Sequence, residues 1–125
     1  MTANLYAAWI GFLLGAIAGV VPGLFFHGEH WLDGYASWPR RLIRLGHISF
    51  FGIGLINLGA ALTASNLDLH GGLALASGAL IVGAIAMPTV CYLSAWKRGF
   101  RHLFFIPASA VTLGVAAFLW RVLSA

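Results

Sequence analysis

Between Leu5 and Phe26 the chain carries no charged side chain, and within that stretch Gly11, Gly15, Gly19 and Gly23 recur at every fourth position. In water such a helix would be poor, because each interior glycine costs about 1 kcal/mol relative to alanine. In lipid the backbone finds no water to bond, and a helix becomes nearly obligatory. The four glycines then form a slowly drifting seam along one side, where a second backbone or a flat ligand can approach closely. The segment reads as a membrane helix built to pack.

The rest of the chain agrees with that class. Its 125 residues suit one domain, and 61% hydrophobic against 8% charged residues exclude an ordinary soluble globule. Four segments reach the roughly 20 residues that a bilayer crossing needs: about 5–26, 45–64, 72–95 and 103–120. The expected fold is all-α, an integral membrane four-helix bundle of up-down topology with short loops. The connection 27–44 reads as an interfacial segment lying on the membrane surface. Within it, Ser37-Trp38-Pro39 has the form of a helix start, with serine as N-cap and proline in the first turn. On that reading the second helix begins early and carries Arg40, Arg41 and Arg44 at the headgroups. Pro22, Pro88 and Pro107 are expected inside helices one, three and four, where each removes a backbone donor.

Lysine and arginine are confined to two connections. Arg40, Arg41 and Arg44 precede the second span, and Lys97, Arg98 and Arg101 precede the fourth; the turn 65–71 and the N-terminus have none. The positive-inside rule places both basic loops in the cytoplasm and both termini outside, in a plasma or inner membrane. Arg121 alone disagrees, and a terminal arginine can snorkel to the headgroups. Trp9 and Trp120 would then mark the outer interface, and Trp31, Trp38 and Trp96 the inner one. The net charge of +4 thus reflects topology and lipid contact, not nucleic acid. The opening residues lack the basic region of a cleaved signal peptide and carry no lipidation signal. A single cysteine excludes an internal disulfide and a multi-cysteine zinc site.

Few residues in this pattern offer chemistry. On helix two, His47, Gly54 and Ala61 recur every seven residues, with Phe50 and Asn57 near the same stripe. A histidine beside small residues can hold a b-type heme edge-on, or hydrogen-bond a quinone carbonyl. The same histidine and Asn57 can instead bond helix to helix. His102, His27 and His30 are the candidate partners of His47 as cofactor ligands. His27, Glu29 and His30 also form a short metal-ligand-like cluster, weakened by the intervening Gly28. Lys97, Arg98 and Arg101 can bind heme propionates, a phospholipid phosphate or an acidic partner loop, or simply set topology. Cys91 shares a stripe with Ser77 and Ala84 and is expected to face the bundle. No carboxylate lies within a span, which disfavours an ion pump or small-solute transporter. No nucleophile–base pair and no phosphate-binding loop can be read, so catalysis by the chain itself is not expected.

The leading expectation is therefore a small polytopic subunit that packs against other membrane proteins or a second copy of itself. A respiratory or other electron-transfer assembly suits its histidine-bearing helix. The alternatives are a histidine-ligated heme or quinone-binding protein and, third, a small transporter.

Overall fold

The computed structural model describes residues 1–124. Among them all regular structure is helical, with α1 (Thr2–Phe25), α2 (Trp38–Asn66), α3 (Ala74–Trp96) and α4 (Phe105–Leu123). Short 3-10 turns occupy Trp31–Asp33 and Arg98–Phe104. All four helices are long and apolar enough to cross a membrane. Successive helices run antiparallel, so α1 and α3 point the same way. Each packs chiefly on its neighbours in sequence. The result is a four-helix bundle with α2 and α3 at its centre and α1 and α4 outside, their outer faces apolar and exposed.

The second helix starts at Ser37. Its side chain accepts a hydrogen bond from the Arg40 N–H at 3.4 Å, and Pro39 sits in the first turn, where no backbone donor is required. At 29 residues, α2 is about 43 Å long, against a hydrocarbon core of about 30 Å. Its first turns therefore stand outside the core and carry Arg40, Arg41 and Arg44. Pro107 differs from expectation. It lies in the first turn of α4 rather than inside that helix, and the 3-10 segment Arg98–Phe104 leads into it. A missing N–H is harmless there. Pro88, by contrast, lies inside α3 and removes the donor that would bond the Ala84 carbonyl.

The helices approach each other by seating a side chain of one on a glycine of the next. Between α1 and α2 the fit is reciprocal. A methyl group added at Gly15 would lie 2.7 Å from the Phe51 ring, and one at Gly19 would lie 2.5 Å from the His47 ring. In the other direction, Phe12 of α1 fills the space at Gly54, 2.7 Å from where a Cβ would be. These rings form a ladder: Phe12 and Phe51 stack with centroids 6.1 Å apart, and His47 meets Phe51 edge-on at 5.4 Å. The seam thus holds rings more than it admits a second backbone; only Gly11, 3.3 Å from the Phe50 carbonyl oxygen, faces main chain. Gly23 meets nothing within 4 Å. The same device recurs at the other interfaces, with Tyr92 on Gly46, Val111 on Gly83 and Leu80 on Gly114.

One polar network ties three helices at a single level. The Asn4 amide nitrogen donates to Asn57 Oδ1 at 2.8 Å and to the Ser77 carbonyl at 3.2 Å, while the Ser77 hydroxyl donates to Asn4 Oδ1. The Asn57 amide nitrogen donates to the carbonyls of Ile53 at 2.9 Å and Leu80 at 3.3 Å. Both asparagines are fully buried. Each amide donor and acceptor has a partner, as an apolar surrounding demands.

The two ends of the glycine seam should respond differently to one added methyl group. Gly15→Ala is expected to destabilise by about 1–3 kcal/mol, because it meets the Cβ of Phe50 at 3.0 Å, an atom fixed to the α2 backbone. Gly23→Ala should be neutral, or stabilising by up to about 1 kcal/mol. Reversible unfolding in mixed detergent measures both, and equal responses would mean that the seam is not in contact as described.

Candidate functional site

Polarity is distributed unevenly along the bundle. Six of the seven basic residues (Arg40, Arg41, Arg44, Lys97, Arg98, Arg101) and two of the three acids (Glu29, Asp33) belong to the end where α1 and α3 finish. The entire net charge of +4 is therefore at that end, since Arg121 and Asp68 cancel at the other. Arg121 there donates to the carbonyls of Gly71 at 3.3 Å and His70 at 3.4 Å.

Arg40 organises the basic end. It is only 2% exposed, and its charge is met by carbonyl oxygens and aromatic faces. Nη1 donates to the carbonyls of Gly28 at 3.3 Å and Trp31 at 3.4 Å, and Nη2 donates to that of Phe26 at 3.2 Å. The guanidinium carbon lies 5.1 Å from the Phe26 ring centre, 5.4 Å from Trp31 and 5.6 Å from Tyr35. Such contacts hold a cation without a carboxylate. The loop bends to supply them: Leu32 and Asp33 adopt φ of 51° and 63°, which costs a non-glycine residue about 1–2 kcal/mol. Nearby, Arg44 lies 4.0 Å over Tyr35 and Arg98 lies 5.7 Å over Trp38. The Trp38 indole N–H donates to the Ser94 carbonyl at 2.8 Å, joining α2 to α3.

His47 sits about two turns beyond Arg40, wedged between α1 and α2. Its Nδ1 is sealed without a hydrogen-bond partner, and its ring presses on Gly19 and meets Phe51 edge-on. The other proposed ligands occupy connections. His27, Glu29 and His30 are exposed in the turn after α1, and His102 is exposed in the 3-10 segment before α4. Among the described residues no three His, Cys, Asp or Glu side chains come together as a metal-holding group. Cys91 is fully buried and faces Gly46 of α2. Asn4 and Ser77 escaped the sequence reading as polar ties. Asn4 precedes the apolar stretch, and nothing local marks it as pointing inward.

Two hollows remain. A cleft of about 550 Å³ runs between α1 and α3 with Phe50 and Gly54 of α2 as its floor. Ala3, Ala7 and Gly11 line one wall; Ala84, Pro88 and Tyr92 line the other. Exposed Tyr6, Ile10 and Ile85 form its rim, so it opens sideways. A smaller hollow of about 350 Å³ at the opposite end is bordered by Thr2, Ser65, Asp68 and His70. Comparison of the chain with protein-family models, curated proteins and solved structures found no match.

The Arg40 cradle makes a specific demand on shape as well as charge. Arg40→Met should lower stability by about 3 kcal/mol, on the scale of hydrogen bonds to a charged group. Arg40→Lys should recover less than half of that, because an ammonium cannot reach three carbonyls with a planar fork. Detergent unfolding of both variants provides the comparison; full rescue by lysine would show that charge alone holds the loop.

Proposed function

We propose that the protein is a small multi-pass membrane subunit whose role is to pack within a membrane-protein assembly, with the basic loops on the cytoplasmic side and both termini outside. The observation that carries this reading is the Asn4–Asn57–Ser77 network. The chain's intramembrane amides are engaged in holding its own helices together, which leaves them unavailable to a passing solute or a reacting group. The outer faces of α1 and α4 remain apolar and unpaired, ready for lipid or for helices of other subunits or a second copy. Electron-transfer complexes are the favoured setting because of His47. Purification from its own membrane in mild detergent should yield the 13.3 kDa chain in a particle several times that mass, by light scattering. A monodisperse monomer under those conditions would overturn the subunit reading.

A second reading keeps His47 as the ligand of a heme or the partner of a quinone. It is favoured by one observation: Nδ1 is sealed and unpartnered, an unmet buried polar atom of the kind that a functional role can account for. As a helix tie, His47→Gln should change stability by less than about 1 kcal/mol. As a heme ligand it should abolish a Soret band that His70→Gln preserves, and at a quinone site it should leave assembly intact but lower turnover of the host complex. Unchanged assembly, spectrum and turnover would remove both cofactor readings.

The orientation has its own check. Cysteines placed at positions 66–69 should react with an impermeant maleimide added from outside and not from the cytoplasm; the reverse pattern would invert the topology.

A further inference from the structure

The cleft between α1 and α3 opens sideways, and no charged residue lines it. Its α1 wall, from Ala3 to Leu14, belongs to the half of that helix away from the basic loops. The occupant that suits it comes from the bilayer and carries no charge. Two polar groups of this apolar lining are nevertheless unmet. Of its three hydroxyls, that of Tyr6 is on the exposed rim and that of Thr89 donates to the Ile85 carbonyl at 2.6 Å. The third, on Tyr92, is buried without a partner. Ala84 and Pro88 share the same wall, and because proline has no N–H the Ala84 carbonyl lacks its helical donor. From Ala84 to Tyr92 the helix rises about 12 Å. A tyrosine side chain leans back toward the N-terminus of its helix, which brings the two groups nearer than that. One donor and one acceptor thus lack partners in a medium that supplies none.

The rest of the cleft suits a flat ring. Ala7 and Gly11 leave room on one wall, and Phe50 forms the floor with its ring centre 6.4 Å from that of Tyr92. A volume of about 550 Å³, mostly apolar with a few placed polar groups, is typical of small-molecule sites. An acyl chain would fill this space and meet neither polar group. A helix of a second copy, its backbone already bonded, would meet neither as well. We propose that the cleft binds one lipid-soluble quinol, an uncharged ring with a hydroxyl at each end. One ring oxygen accepts from the Tyr92 hydroxyl, and the opposite hydroxyl donates to the Ala84 carbonyl. The alkyl tail leaves through the side opening. A quinone has acceptors only and forms just the first of these bonds. The proposal shares its ligand class with the second reading above but not its site, since His47 does not line the cleft.

The test titrates the full chain in mild detergent with decylubiquinol under argon and, separately, with decylubiquinone, and measures bound ligand after gel filtration. One quinol per chain is expected, held about fivefold more tightly than the quinone, on the scale of one net hydrogen bond. Decylbenzene, which lacks the ring oxygens, should not displace it. Tyr92→Phe keeps the ring and its packing and should weaken quinol and quinone alike by about five- to tenfold. Pro88→Ala returns an N–H to the Ala84 carbonyl and should bring the preference for quinol close to one. Ala84→Phe, which fills the cleft, should abolish binding while circular dichroism shows the helices intact; Tyr92→Phe reports even if that variant fails to fold. Unchanged binding in Tyr92→Phe, or displacement by decylbenzene, would overturn the site. Binding lost in His47→Gln but kept in Tyr92→Phe would move the ligand to His47 and refute the cleft while sparing the second reading. A ligand-free dimer that Ala84→Phe dissociates would also overturn the proposal, because the cleft would then hold a second copy.

Discussion

Everything in this fold depends on seating a bulky side chain against a residue that has none. Phe12 on Gly54, Phe51 on Gly15 and His47 on Gly19 join α1 to α2; Tyr92 on Gly46 joins α2 to α3; Leu80 on Gly114 and Val111 on Gly83 join α3 to α4. In a bilayer, burial of apolar surface supplies no net attraction between helices, since lipid is as apolar as leucine. Dispersion contacts must supply it, and they require atoms at van der Waals distance along the whole seam. Glycine lets the backbone come that near. The aromatic ladder on α1 and α2 then adds offset and edge-on ring contacts to the same interface.

Close fit alone would permit sliding by one turn, because glycines repeat along α1. The Asn4–Asn57–Ser77 network removes that freedom. Once Asn4 is level with Asn57, the positions one to four turns further on are fixed, and Gly15 and Gly19 fall opposite Phe51 and His47. A slip would leave buried amides without partners in a medium that offers none. Arg40 performs the corresponding service at the other end, drawing the carbonyls of Phe26, Gly28 and Trp31 onto one guanidinium. Register is therefore held at two levels, one neutral and one charged.

The membrane class, the number of helices and the start of α2 at Ser37 were legible because each rests on a local signal: apolar length, charge placement or a cap. What packs on what was much less so. Period-seven counting put His47, Phe50, Gly54 and Asn57 near one stripe, and these residues do lie toward α1 and α3. It could not say that rings, rather than backbone, would fill the glycine seam, since the filling residues come from a different helix. Asn4 looked like a residue of the chain's beginning, and its meaning depends on Asn57 and Ser77, far away in sequence. Pro107 was misplaced because hydropathy has no resolution at a 3-10 to α junction. His27, His30 and His102 share the basic end with His47, but depth along the bundle says nothing about direction around it.

The Arg40 cradle also dictates an order of events during biogenesis. Its acceptors belong to the end of α1 and the turn after it, while the arginine arrives with the first turn of α2. Neither half is complete until the other has been synthesised. Until then the left-handed turn at Leu32 and Asp33 rests on local backbone hydrogen bonds alone, such as Asp33 N–H to the His30 carbonyl and Gly34 N–H to that of Trp31. The α1–α2 hairpin is thus the smallest unit that can close, and it can do so before the remaining half of the chain has left the ribosome. Helix α4, held mainly by α3 and with only Pro107 and Gly114 buried, joins a scaffold already formed.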